Sequence, residues 1–217
     1  MVNLSIKNSP QALLALAFFI LFHLSLQSIV PWSLLPGILQ QFLPPMSEFI
    51  LVLVFSKIFG LKFQLSLKHF KSNPIFKTFF GLSILLAFVS IGYINLAQLH
   101  SPFRYIPKVW IHLLIIAPIL EELLFRHTLI TLLQKGKFSP NTLAIVSAAL
   151  FSLSHLIILH KIDKVFVGFI IFQGFYTFCL GWICAMSFIK DKSLISPYVI
   201  HLFFNMIFYI GILQGWV

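Results

Sequence analysis

Glu121, Glu122 and Arg126 lie within the apolar stretch Ala117-Pro118-Ile119-Leu120-Glu121-Glu122-Leu123-Leu124-Phe125-Arg126. A charge at the centre of a bilayer costs about 2.5–3.5 kcal/mol on insertion scales, so three of them need partners and a reason to be there. Glu122 and Arg126 are spaced i, i+4, share one face of a helix and can pair. Glu121 lies about 100° further round, where Arg126 serves it less well. A carboxylate in a dry site beside a second carboxylate holds a proton more readily. That is the condition under which a glutamate works as a general base near neutral pH. The spacing assigns chemistry to Glu121 and support to Glu122 and Arg126. The alternative is a single structural ion network.

Two more one-faced pairs follow along the chain: Phe151 with His155, and His201 with Asn205. Each alone also reads as interhelical packing or hydrogen bonding. Together with Glu121 they supply a carboxylate base, an imidazole to orient a water, and donors for an oxyanion, the parts that acyl hydrolysis needs. His23, His69, His100, His112 and His160 fall near expected helix ends or interfacial connections. Asn95, Gln98 and Gln173 are expected to make interhelical hydrogen bonds. Other intramembrane chemistries lack their residues. There is no H-E-x-x-H and no G-x-S-x-G, and both Asp163 and Asp191 fall in turns, which removes an aspartyl dyad.

The elements that must position these groups are membrane spans. The chain has 217 residues, 59% hydrophobic and 9% charged, with mean hydropathy +1.01. Soluble domains carry about 25% charged residues. The apolar runs have the length a helix needs to cross the hydrocarbon core, and they lack the alternation of a β-barrel. The expected fold is all-α, a polytopic transmembrane bundle of about seven spans. A formal net charge of +10 comes from basic residues between apolar runs, where they fix topology and touch headgroups, so no nucleic-acid partner is expected. Cys179 and Cys184 read as small buried hydrophobes that cannot easily meet.

The expected helices cover about 11–30, 46–60, 75–99, 109–134, 139–160, 165–189 and 194–215. The first is too long in its core, and lacks the cleavage pattern, for a signal peptide. The five lysines of 57–77 mark a segment on the membrane surface. Gly136 is placed to cap the fourth helix, Ser139 and Pro140 to start the fifth, and Gly181 and Ala185 to allow close helix contact. Counting cations between spans puts the N-terminus on the cytoplasmic side. The expected division is an N-terminal part, 1–108, with its interfacial basic segment, and a catalytic transmembrane core, 109–217.

The three pairs, in this order, resemble the motifs E-E-x-x-x-R, F-x-x-x-H and H-x-x-x-N of the CAAX-protease and bacteriocin-processing family, also called the Abi family of intramembrane proteases. They stand here as Glu121-Glu122-Leu123-Leu124-Phe125-Arg126, Phe151-Ser152-Leu153-Ser154-His155 and His201-Leu202-Phe203-Phe204-Asn205. The resemblance covers roughly residues 110–210. It implies an intramembrane endopeptidase of the glutamate type, possibly metal-dependent, in the cell inner or plasma membrane. Its substrate would be a membrane-associated peptide, lipidated or a leader. Glu121 and His155 would activate a water, His201 and Asn205 would stabilise the oxyanion, and Glu122, Arg126 and Phe151 would support them. A non-catalytic immunity or scaffold protein on the same fold is the alternative. No cofactor is expected: two His and two Glu could ligate a divalent metal, but Asn is a poor zinc ligand and a Glu–His water mechanism needs none. One departure is His127, where the family usually has glycine after the arginine; it puts the local packing and cavity shape in question. A second tension is depth, because His155 lies nearer its helix end than Glu121 and His201 do to theirs.

Overall fold

The computed structural model describes residues 10–15, 17, 20, 37–66, 74–105, 109–160 and 162–217. The helices are α1 (Gly37–Phe59), α2 (Pro74–Leu96), α3 (109–135, continuous but locally widened), α4 (Pro140–Leu156), α5 (Val167–Asp191) and α6 (Ile195–Leu213). No strand occurs among the described residues. Five helical runs are long and apolar enough to cross a membrane: Phe42–Phe59, Pro74–Leu96, Pro140–Leu159, Lys164–Asp191 and Ile195–Leu213. The charged helix α3 adds a further membrane-length run. The chain is an integral membrane protein, a polytopic all-α bundle. The expected span at 11–30 lies mostly outside the described residues, of which 10–15, 17 and 20 are helical.

Helix α1 starts nine residues before the expected 46 and runs through Pro44 and Pro45. The two prolines remove two backbone donors. In a bilayer, breaking the helix would leave more groups unpaired, so it continues. The segment 57–77, expected on the membrane surface, starts inside α1, which runs to Phe59; 61–66 is non-helical and bound to the α5–α6 turn, with Leu194 N–H donating to the Gln64 carbonyl at 2.8 Å and Ser193 Oγ–H to the Ser66 carbonyl at 2.8 Å, and 67–73 lie outside the described residues. Ser139 caps α4 as expected, accepting from Thr142 N–H at 3.2 Å. Gly136 is not the left-handed residue after α3; Lys137 is, at φ 60. A Cβ at Gly136 would stand 2.8 Å from the Phe138 ring, which a larger residue would have to displace.

Helices α4 and α5 pack along their lengths, and α2, α5 and α6 close the opposite side around one apolar core. Gly181 and Ala185 are both buried, and Gly181 lies against Phe151 and Ala148 of α4. A second, smaller core joins Leu51, Val52 and Phe55 of α1 to Leu124 and Leu132 of α3. Helix α3 is thus the element that α1, α4, α5 and α6 all touch.

Candidate active site

Two widened segments, His112–Ile116 and Leu123–Ile130, place an extra residue in each turn of α3. The cause of the first is legible in the chain. Ala117 N–H bonds to the His112 carbonyl, and in that i+5 register the Leu113 carbonyl faces Pro118, which has no N–H to give. The orphaned carbonyl is taken by Asn205 of α6, whose Nδ2 donates to it at 2.8 Å. Such π-turns cluster at functional sites, and this one fixes a predicted site residue by an unmet backbone bond. In the second segment Thr128 Oγ1–H donates to the Leu123 carbonyl at 3.1 Å and Ser147 of α4 to the Phe125 carbonyl at 3.2 Å.

The ionic groups meet between the two segments. Arg126 Nε lies 3.1 Å from Glu122 Oε2, an ionic contact rather than an aligned hydrogen bond. Arg126 Nη2 donates to the Gly181 carbonyl at 3.1 Å, and its guanidinium stands 5.0 Å from the centre of the Phe151 ring. Gly181 makes this reach possible: a Cβ there would come within 2.9 Å of Phe151 and 3.1 Å of the Ala148 Cα. Glu122 also accepts from His201 Nδ1 at 2.9 Å. The same imidazole presents Nε2 to Glu121 Oε2 at 3.4 Å. His155 Nε2 is 3.8 Å from the other oxygen of Glu121, while its Nδ1 lies 2.9 Å from the Phe151 carbonyl. A carbonyl can only accept, so Nδ1 carries the proton and Nε2 is left to face Glu121.

Exposure separates the carboxylates. The Glu122 and Arg126 side chains are 3% and 0% exposed, whereas Glu121 and His155 are 22% and 19% exposed. Both open onto a cavity of about 360 Å³ that His201 and Asn205 also line. Its wall is otherwise mainly apolar and includes Pro102, Phe103, Ile158 and Ile162. Phe151 is the hub of the site, edge-on to His155 and His201 at 4.8 and 5.8 Å between ring centres.

All seven sequence-predicted residues, Glu121, Glu122, Arg126, Phe151, His155, His201 and Asn205, therefore fall in one cluster. The depth mismatch is absorbed: His155 sits at the last turn of α4 yet reaches Glu121. His127 does not shape the cavity. It is buried on the far side of α3, with Nε2 2.8 Å from Ser56 Oγ of α1 and its ring stacked on Phe63 at 4.0 Å. Three things were missed. His201 is bound by Glu122 as well as by Glu121, and nothing in spacing along one helix signals a bond between two. His112, placed by sequence at an interface, lines the cavity. Gln173, expected to bond another helix, lines it too and has no side-chain partner among the described residues. Its position one turn from Tyr176 and Thr177 was the available signal. Gln98 bonds the Asn95 carbonyl of its own helix end, not another helix.

Among the described residues no group of three or more His, Cys, Asp or Glu side chains is arranged to hold a metal ion. Both ring nitrogens of His201 already face carboxylates.

Fold and cluster together define a multi-pass helical membrane protein with a buried Glu–Arg–His network opening on an intramembrane cavity. Residues 104–207 match the family model described as type II CAAX prenyl endopeptidase Rce1-like, the family that the three motifs resemble. No curated protein and no solved structure matches the chain.

Proposed function

We propose that the protein is an intramembrane endopeptidase that hydrolyses a membrane-attached peptide, lipidated or a leader, with Glu121 as general base. The observation that carries this reading is the convergence of Glu121, His155 and His201, from three helices, on one cavity within the membrane. A water in contact with Glu121 Oε1 and His155 Nε2 adds its oxygen to the substrate carbonyl carbon as Glu121 takes a proton. The oxyanion is met by His201 Nε2–H and by the second Nδ2–H of Asn205, the first being spent on Leu113. Glu121 then gives its proton to the departing nitrogen, and the C–N bond breaks to leave an acid and an amine. Glu122 and Arg126 hold His201 in place. Glu122 is buried between Arg126 and His201, partners that make its burial tolerable. No step is routed through a metal.

The test is direct. Purified protein in liposomes is given a farnesylated peptide with a prenyl-cysteine four residues from its C-terminus, and an unprenylated amphipathic peptide. Mass spectrometry should find a single internal cut in at least one; both remaining intact in folded protein would overturn the hydrolase reading.

We infer the orientation from the cations. Lys135 Nζ–H donates to the Phe59 carbonyl, and 61–66 binds the Ser193–Leu194 turn, so Lys57, Lys62, Lys135, Lys137, Lys190 and Lys192 gather at one end. That end faces the cytoplasm, and the opposite end faces away from it. In a variant without Cys179 and Cys184, a cysteine at Lys164 should react with impermeant maleimide on intact cells and one at Lys137 should not. The reverse pattern inverts the assignment.

A further inference from the structure

We propose that Gln173 and Tyr176 of α5, beside the Glu–His cluster in the same cavity, form the main-chain anchor for the peptide. The inference rests on the hydrolase reading for its ligand class.

The argument is one of unspent hydrogen-bonding capacity. An extended peptide that leaves water for a membrane cavity strips its own N–H and C=O groups, and each unmet group costs several kcal/mol in such surroundings. The cavity must therefore offer partners. Most polar groups on its wall are already engaged. Glu121 faces His155 and His201. Asn205 holds the Leu113 carbonyl. Ser154 Oγ–H donates to the Phe151 carbonyl at 2.7 Å, and Thr177 Oγ1–H to the Gln173 carbonyl at 2.7 Å.

Gln173 and Tyr176 are different. Both line the cavity, both are more than nine-tenths buried, at 8% and 4% exposure, and neither side-chain head group has a partner among the described residues. Polar side chains held this deep are nearly always hydrogen-bonded to protein; these two instead leave their head groups open to the cavity, available to a ligand that enters it. They are spaced i, i+3 and share a helix face with Ile170 and Leu180, which also line the cavity. The Tyr176 ring is fixed by Phe204 and Phe208 of α6, at 5.8 and 5.5 Å between centres, so its hydroxyl is presented from a rigid body.

The chemistry selects a peptide unit. A carboxamide offers one acceptor and two donors, the complement of an amide N–H and C=O, and can bond one peptide unit in both directions. The tyrosine hydroxyl donates to a neighbouring carbonyl. Neither group is charged, so the anchor reads backbone rather than side chains. It leaves side-chain selection to the apolar wall.

The test uses the full-length protein in nanodiscs, with Gln173→Met and Tyr176→Phe, both close in shape to the native residues. The probes are the farnesylated peptide and analogues in which single backbone amides near the cleavage point are replaced by esters. Wild-type protein should lose affinity about tenfold for one ester analogue, the change expected for one good hydrogen bond. Gln173→Met should bind the all-amide peptide about tenfold more weakly and lose the discrimination against that ester, whereas a merely structural role would leave the discrimination intact. Tyr176→Phe should raise KM with less effect on kcat. Binding is measured on the Glu121→Gln background, independently of turnover. If this background binds with Gln173-dependent affinity while wild type never cleaves, the anchor stands and the hydrolase reading falls. If cleavage occurs and both variants bind, cleave and discriminate as wild type does, the anchor is overturned and the hydrolase reading survives. Absence of any binding overturns the anchor as well.

Discussion

Replacing Arg126 with methionine keeps most of the volume and removes the only permanent cation of the buried cluster. Three contacts go with it: the 3.1 Å approach to Glu122, the 3.1 Å bond to the Gly181 carbonyl and the placement over Phe151 at 5.0 Å. Leaving a buried carboxylate without its partner costs about 3–5 kcal/mol. An orphaned carbonyl adds about 1–3 kcal/mol, and losing a desolvated cation–π contact up to about 2 kcal/mol. These do not sum, because the helix relaxes and Glu122 can take up a proton. A loss of about 4 kcal/mol is a large part of the about 5–15 kcal/mol that holds a domain folded. The distinguishing quantity is the coupling with Glu122. Glu122→Gln removes the charge but keeps an oxygen for His201 Nδ1–H. In the double variant no charge is stranded, so it should be more stable than Arg126→Met alone by about 2–3 kcal/mol. Unfolding followed by tryptophan fluorescence in mixed micelles measures all four proteins. Strict additivity of the two losses would refute the pairing, and with it the division of labour between the two glutamates.

Gly181→Ala should lower the unfolding midpoint by an amount corresponding to about 1–3 kcal/mol, because its methyl group must push α4 from α5. It should also reduce cleavage by weakening the Arg126 bond to the Gly181 carbonyl; an unchanged midpoint would contradict the close contact. Chelation by 1,10-phenanthroline should leave cleavage of the farnesylated peptide unaltered, since His201 has no free nitrogen. Loss of activity restored by zinc would overturn the metal-free route.

The cluster of polar side chains was more legible in the sequence than the helix boundaries were. Charges in apolar runs are so expensive that Glu121, Glu122 and Arg126 stand out by position alone, and i, i+4 spacing adds Phe151 with His155 and His201 with Asn205 as a set. It cannot show pairs between helices. The His201 bond to Glu122 and the Arg126 bond to Gly181 depend on how α3, α5 and α6 are rotated, which composition does not encode. The start of α1 was misread because Pro44 and Pro45 end helices in water and not in lipid. The widening of α3 was hidden for a related reason: Pro118 was visible, but its consequence, a carbonyl awaiting Asn205, appears only when α6 arrives. His127 read as an intrusion near the site, yet it faces Ser56 of α1 and Phe63, so the departure from the family pattern concerns how α1 is attached.

The central claim is that Glu121, and not its neighbour, is the base. The decisive measurement is the turnover of the farnesylated peptide by Glu121→Gln in liposomes, with its unfolding midpoint recorded alongside. A base that acts in the transition state contributes about 10²–10⁴-fold. The variant should therefore keep a wild-type midpoint and lose at least that much in kcat. A folded Glu121→Gln protein that turns over at the wild-type rate would contradict the account.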